Sequence, residues 1–488
     1  MSDVRNGILL VAVNARYGHC SLAARTLLVN LGPWRAAATL LETDLEIQPL
    51  QLAADIVARA PRVVGFSVYL WNRGQVRETL AILRRVAPTV RVVVGGPEIV
   101  DGCAGDWRGL ADLLVVGEGE TIWREACDGW LQPGAPPPGG GEREPALRVA
   151  VPEELSTLLL PDDLYSDTDI AHRTVFVESS RGCPYRCVYC TSGGTRLRLW
   201  PLERLEPSFD RLLARGVRAF RFLDRSFNAA EEHACRVLDF FLARHPGRLQ
   251  LHFEIVPRRM GEALRGRLMA FPPGVLHLEV GVQTLNPEVA RRIGRDGGPE
   301  LALETLQFLM RETGASVHAD LIFGLPGEDE TSFAAGFDRL VRLFDPPELQ
   351  LNILKRLPGT PLADAAAFPG LAFNPHPPYE LLAGDALDFE ALVRLQGVAR
   401  LWELIHNRGR FSRTAARIWQ AGDGSPYDRY RALAARILAA EGRLYALNGS
   451  RLTEHLIRFL ETDAGMGRAE AQAMVAADRA ADRPISGV

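Results

Sequence analysis

Three of the chain's seven cysteines fall within eight residues, in Ser180-Arg181-Gly182-Cys183-Pro184-Tyr185-Arg186-Cys187-Val188-Tyr189-Cys190. Thiolates are the preferred ligands of iron–sulfur clusters. The spacing CxxxCxxC lets one tight loop hold three corners of a cubane. The fourth iron is then open to an external ligand. A structural zinc ion wants four ligands, and no fourth cysteine is near. His172 is close in sequence but lies on the far side of the preceding strand. A zinc knuckle and chance clustering are the competing readings. Sparse, odd-numbered cysteines also argue against a secreted disulfide framework.

The loop must be positioned by what flanks it. From about residue 172, strand-like runs alternate with helical stretches. The strands are Thr174–Glu178, Ala219–Leu223, Gln250–Glu254, Leu276–Val280, Val317–Ile322 and Leu349–Leu354. Six β/α units predict a partial barrel, open on one side, with its active site at the carboxyl ends of the strands. After Pro361 the pattern changes. Residues 380–480 are rich in Ala, Leu and Arg, with helical periodicity and no clear strands. They read as an amphipathic cap with solvated charges, and a partner surface is the alternative.

The cysteine loop after its strand resembles the radical S-adenosylmethionine (SAM) superfamily. The resemblance implies a 4Fe–4S cluster on Cys183, Cys187 and Cys190. Its open iron would be chelated by the amino and carboxylate groups of SAM, and reductive cleavage would give a 5′-deoxyadenosyl radical. It places Tyr189 near the adenine. Gly281-Val282-Gln283-Thr284 resembles the family's ribose-side segment. Asp320-Leu321-Ile322-Phe323-Gly324-Leu325-Pro326-Gly327-Glu328 resembles its fifth-strand motif, and Gln350 to Thr360 its sixth-strand segment. Glu254, Glu279 and Gln283, at strand ends, are candidate SAM contacts. Asp224 stands where family members bind the SAM amino group, although the usual Gly-Gly-Glu is absent. An electron donor such as flavodoxin or ferredoxin is implied.

Residues 1–130 alternate strands (Ile8–Val13, Ala38–Leu41, Val63–Tyr69, Val92–Val94, Leu113–Val116) with helices such as Ser21–Asn30 and Gln75–Val86. This predicts a five-stranded doubly wound sheet, which binds ligands at strand carboxyl ends. Such a domain ahead of the barrel resembles the cobalamin-dependent (class B) branch of the superfamily. Asn14-Ala15-Arg16-Tyr17-Gly18-His19-Cys20-Ser21-Leu22 further resembles a subgroup carrying NARYxHxSL. Cobalamin domains show DxHxxG, SxL and GG; here Ser67 and Gly95-Gly96 fit. The resemblance implies cobalamin contacts at Asn14, Arg16, Tyr17, His19, Ser67, Tyr69, Gly95, Gly96, Pro97, Glu98, Gly117 and Glu118. Arg16 occupies the place of the cobalt-ligating histidine. A guanidinium cannot readily donate a lone pair, so no lower imidazole is expected, with His19 as the alternative ligand. A doubly wound module without cofactor is the competing reading.

The domain reading is therefore a cobalamin-binding domain (1–130), a linker (131–170), a radical SAM barrel (171–365) and a helical domain (366–488). The linker includes Gln132–Gly141, almost all Pro and Gly. Of the 488 residues, 47% are hydrophobic and 24% charged, with formal net charge −4. That balance attracts neither nucleic acid nor anionic membrane. No apolar run spans a bilayer, and a cytoplasmic protein is expected. The leading function is a methyltransferase acting on an unactivated carbon through the 5′-deoxyadenosyl radical and methylcobalamin. Rearrangement, cyclisation, ring contraction or oxidation without methyl transfer is the second. A non-catalytic cofactor-binding scaffold or sensor is the third. The substrate is left open between small metabolite, lipid, tetrapyrrole and peptide, with Tyr69, Trp71 and Trp200 as candidate cleft aromatics.

Overall fold

A computed structural model describes residues 7–132, 144–244, 249–295, 297–343, 348–420 and 424–480. Apart from Gln132, the Pro/Gly segment lies outside the described residues. The first sheet comprises β1 (Ile8–Asn14), β2 (Ala38–Asp44), β3 (Val63–Ser67), β4 (Arg91–Gly95), β5 (Leu113–Val116) and β6 (Ala146–Val149). All its pairs are parallel, in the order β2-β1-β3-β4-β5-β6. Near-continuous Val, Ile and Leu runs suit strands covered on both faces. Helices Leu22–Val29 and Glu120–Leu131 cover one face, and Pro49–Ala58 and Arg73–Val86 the other. The sheet has six strands rather than five. β6 comes from the stretch read as linker, which also forms the helix Asp167–His172. β6 is short and mostly exposed, so it carries none of the apolar signal that marks its neighbours.

The cluster-loop hairpin is β8 (Ser180–Arg181) with β9 (Arg198–Leu199). Around it stand β7 (Val175–Val177), β10 (Ala219–Phe222), β11 (Gln250–Ile255), β12 (Leu276–Gln283), β13 (Ser316–Phe323) and β14 (Glu348–Ile353). These six form one parallel sheet in sequence order, and β7 and β14 do not pair, so the barrel stays open. Its strands β10, β11, β12 and β14 alternate apolar with polar or small residues, which a sheet apolar on both faces would not. On β12, Leu276, Leu278, Val280 and Val282 are buried in the shell under the helices. His277, Glu279 and Gln283 take the opposite face and line the lumen.

The tail is helical from Phe389 onward, as expected, but a small antiparallel hairpin, β15 (Ala372–Phe373) with β16 (Leu381–Ala383), precedes those helices. It corrects the strand-free reading of residues from 380. Among the described residues no helix is long and apolar enough to cross a membrane.

The first sheet's carboxyl-end loops face the barrel's open side. Gly18 O accepts the Thr174 amide at 3.0 Å. Arg25, 2% exposed, pairs with Glu42 at 2.7 Å and with Asp169 at 2.8 Å. Arg173 reaches Glu42 at 3.2 Å. Cys20, Glu42 and Asp169 approach within metal-ligand range, but both carboxylates are already engaged by arginines. On the far side, the Tyr379 hydroxyl donates to Glu98 at 2.9 Å, and Glu98 also pairs with Arg73. Removing one partner of a buried ion pair leaves an uncompensated charge. Arg25→Ala is expected to lower unfolding free energy by about 3–5 kcal/mol, measured by chemical denaturation.

Candidate functional site

Cys183 and Cys187 are buried and Cys190 is half-buried. The loop that carries them is held by its own backbone. Gly194 N donates to Tyr185 O at 2.7 Å, Cys190 N to Cys187 O at 3.1 Å, and Val188 N to Ile293 O at 3.1 Å. Leu362 N closes the far side on Val188 O at 2.9 Å. Two glycines permit this packing. A Cβ on Gly182, at φ +91°, would sit 2.2 Å from Arg196 O. One on Gly294 would sit 2.4 Å from Arg186 O. The three thiols share one enclosed spot. Burial raises the Cys190 thiol, and Cys187 and Cys183 are among the neighbours acting on it. Three soft donors from one rigid loop fit an iron–sulfur cubane. Tyr189 lies beside Cys187.

Arg295 was not anticipated. Its Nη1 stands 3.9 Å from Cys187 Sγ, and its Nη2 is buried with no hydrogen-bond partner. It and the Gln283 side chain lie across the bare backbone of Gly281. Gln283 itself has φ +71°, at a register shift in β12. A buried guanidinium with a free donor, beside the cluster loop, suits a carboxylate ligand.

Asp224 is placed otherwise than the resemblance implies. It is 1% exposed; Oδ2 accepts Ser179 N at 2.8 Å, and Oδ1 accepts the hydroxyls of Ser179 and Ser180 at 2.7 and 2.6 Å. Both oxygens are committed to anchoring the turn that launches the cluster loop.

Below the loop the lumen is a polar array. Strand register sets His252 beside His277, and Glu254, Glu279, His318 and Glu348 in one row. Glu279 accepts from Arg221 at 3.3 Å and lies 3.2 Å from His252 Nε2. Burial works against ionising Glu279, but His252, His318 and Arg221 hold it below the usual carboxylate range. The His252 and His277 rings stack at 4.5 Å. Burial, then the neighbouring histidines, bring His277 down to about 4. His252 Nδ1 is buried without a hydrogen-bond partner, and His318 Nε2 lies 3.3 Å from Asp320 Oδ1. Only Glu254 and Glu279 of this array were singled out beforehand. Counting by twos along each strand from Glu279 would have found His252, His277, His318 and Asp320.

At the first sheet, Asn14 donates to His19 O at 2.8 Å and to Glu42 at 2.9 Å, so its amide staples its own loop. His19 turns toward the barrel, its ring 5.3 Å from Phe176. Glu98 is engaged by Arg73 and Tyr379, and Glu118 by Arg181 and Arg198. Of these four, Asn14, Glu98 and Glu118 bond to other parts of the chain, and the His19 ring packs on Phe176. Gly96, at φ +103°, is required by packing, since a Cβ there would meet Val68 O at 2.5 Å. Gly95 differs. A Cβ there would find only ordinary contact with Val115 at 3.6 Å, so the protein's own packing does not demand glycine. A bare backbone with room in front suits close approach of a ligand. Arg16 and Pro97 are exposed, and Tyr17 is exposed with the Arg173 guanidinium 4.5 Å over its ring. Ser67 is buried at the end of β3, Tyr69 stacks on Trp71 at 4.4 Å, and Gly117 is left-handed at φ +88°.

Comparison with known proteins matches two of these regions. The radical SAM superfamily model matches residues 177–340 and the B12 binding domain model residues 36–126. The chain thus carries a radical SAM domain and a B12-binding domain. Those domains imply a [4Fe–4S] cluster, SAM and cobalamin. A third model, described as a protein of unknown function (DUF4080), matches residues 369–478. The cobalamin-dependent radical SAM methyltransferase TokK of Streptomyces tokunonensis is 25% identical over 65% of this chain and 50% of its own length. The 2-(S-pantetheinyl)-carbapenam-3-carboxylate methyltransferase of Streptantibioticus cattleyicolor is 24% identical over 62% of this chain and 48% of its own. The chain thus spans about half the length of these two curated relatives. In fold it resembles the radical SAM methyltransferase TsrM of Kitasatospora setae (TM-score 0.62, 22% identity, 89% of this chain and 99% of that one). It also resembles OxsB, a cobalamin-dependent SAM radical enzyme (TM-score 0.62, 12% identity, 98% and 84%).

Two expectations follow. Cys187→Ala should bring iron content after anaerobic reconstitution close to background. Burial raises Glu254 from its ordinary 4.5 to about 7. The folded protein therefore binds that proton more tightly than the unfolded chain, and stability falls as pH rises through this window. In Glu254→Gln the loss of melting temperature between about pH 5 and about pH 8 should be smaller than in the parent.

Proposed function

We propose that this protein is a cobalamin-dependent radical SAM methyltransferase acting on an unactivated carbon. The observation that carries the reading is the clamp at Arg181. This residue, two before Cys183, reaches Glu118 and Glu120 at 2.8 Å each. The cluster loop is thereby held against the carboxyl-end loops of the B12-binding sheet. When bound, SAM and cobalamin would supply a 5′-deoxyadenosyl radical and a transferable methyl group.

On this reading Cys183, Cys187 and Cys190 hold the cluster. Tyr189, Glu254, Gln283 and Arg295 border SAM, with Arg295 directed at its carboxylate. Arg16, Tyr17, Ser67, Tyr69, Gly95, Pro97 and Gly117 border the corrin. Residues 1–130, extended by β6, form the cobalamin domain. Residues 171–365 form the radical SAM barrel and 366–488 the helical domain. Arg221, Glu279 and the lumen histidines meet the substrate. Their polarity supports a small hydrogen-bonding molecule over a lipid, because an acyl chain would leave these groups desolvated and unpaired. A flavodoxin or ferredoxin supplies electrons, which suits a cytoplasmic setting with reduced thiols.

The test is anaerobic reconstitution with hydroxocobalamin, desalting and absorbance. About one cobalamin retained per chain supports the reading, and none overturns it. Turnover that yields 5′-deoxyadenosine without S-adenosylhomocysteine would move the assignment to rearrangement or oxidation. The electron paramagnetic resonance spectrum of bound cob(II)alamin should lack nitrogen superhyperfine splitting, because His19 faces the barrel and Arg16 is a cation. A resolved nitrogen triplet would show a nitrogen donor on the cobalt, from a protein imidazole or from the cofactor's own benzimidazole, and would overturn that expectation.

A further inference from the structure

The tail touches both domains through one short segment, Tyr379–Leu381. Its backbone extends the barrel sheet. Arg356 N donates to Tyr379 O at 3.0 Å and Leu381 N to Leu354 O at 2.9 Å, so the segment runs antiparallel beside the chain that leaves β14. On its other side Asn374 N donates to Glu380 O at 2.9 Å. Leu381 packs on the end of β13, where a Cβ on Gly324 would sit 2.5 Å from its side chain. Backbone and side chain alike fix this segment to the barrel.

Tyr379 crosses from there to the first domain. It is buried and has φ +57°, a conformation that a bulky residue rarely adopts. Its hydroxyl donates to Glu98 Oε2 at 2.9 Å, and Arg73 Nη1 reaches the same oxygen at 3.1 Å. Glu98, 3% exposed, directly follows Gly95-Gly96-Pro97 at the end of β4. That loop is hooked onto Val68 by its backbone. Val68 N donates to Gly95 O at 2.7 Å, and Glu98 N to Val68 O at 3.3 Å. Two residues past Glu98, the Val100 side chain lies 3.0 Å from where a Cβ of Gly359 would be, so the chain after β14 leans on the same stretch. The barrel is open between β7 and β14. Arg181 ties it to the first domain on the β7 side, and Tyr379 on the β14 side. Without the Tyr379 hydroxyl, the Glu98 carboxylate keeps Arg73 as its side-chain donor among the described residues, and Arg73 is shared with Asp106 at 2.7 Å. A buried acceptor that loses a donor carries the cost of its own desolvation.

We propose that Tyr379 is a positioning residue for cobalamin. Through Glu98 it sets the Gly95-Gly96-Pro97 loop that borders the corrin, so the tail controls how firmly the cofactor is held. The inference rests on the cobalamin reading and not on methyl transfer. It gives the region of residues 369–478 a role at the corrin site. Coupling of this kind is reciprocal, so bound corrin must in turn stabilise the hairpin.

The experiment compares the parent with Tyr379→Phe, which keeps the ring and removes the hydroxyl. Both full-length proteins are reconstituted anaerobically with iron, sulfide and hydroxocobalamin. Cobalamin loss is then followed by absorbance of the protein fraction at timed desalting. The variant should release cobalamin at least about threefold faster, with iron content at the parent value. Release at the parental rate overturns the proposal. Faster release together with loss of iron also overturns it, because the hydroxyl would then support the fold as a whole. Should the variant fail to fold, amide hydrogen exchange of the parent decides. Hydroxocobalamin should slow exchange at Asn374 and Leu381 as well as at Glu98 and Ile99, and protection confined to the first domain overturns the proposal. A parent that retains no cobalamin at all overturns the cobalamin reading itself.

Discussion

One largely enclosed guanidinium ties the cluster loop to the first sheet. Arg181 contacts Glu178, three residues before it, and Glu118 and Glu120 across the domain boundary, each at 2.8 Å. Enclosure among several carboxylates keeps it charged, although burial alone would favour neutrality. Such a pair adds little net stability compared with apolar packing, but it is demanding in geometry and costly to break. Its value here is registration. The residue after it is Gly182, bent into the left-handed region, and the next is Cys183. The position of the first cluster ligand is thereby set from the neighbouring domain.

Much of this was legible in the sequence, and for physical reasons. All five strands read from the first 130 residues are present, because parallel strands covered on both faces must be continuously apolar. All six barrel strands are present because their shell-facing positions are apolar at period two. β6 escaped because an exposed edge strand of four residues has no such pattern. The cluster cysteines were legible because soft ligands on a tight loop have few other uses.

The cofactor loops were less legible. Asn14, Glu98 and Glu118 are polar residues at strand ends, where ligand contacts and domain contacts draw on the same side-chain types. Sequence alone cannot tell an acid facing a ligand from one facing an arginine more than 60 positions away, as with Glu118 and Arg181. Asp224 shows the same ambiguity within one domain, since two serines at the neighbouring strand end take up its oxygens. Arg295 was invisible because nothing in its local sequence reports the free donor that burial creates.

The alternation along most of the barrel strands separates two kinds of information. The shell-facing residues hold the barrel together, and the lumen-facing residues contribute almost nothing to that cohesion. Arg221, His252, His277, Glu279, His318 and Asp320 can therefore be exchanged in evolution with far less risk to folding than Leu278 or Phe253. A scaffold so divided can drift in molecular preference while keeping its radical machinery intact.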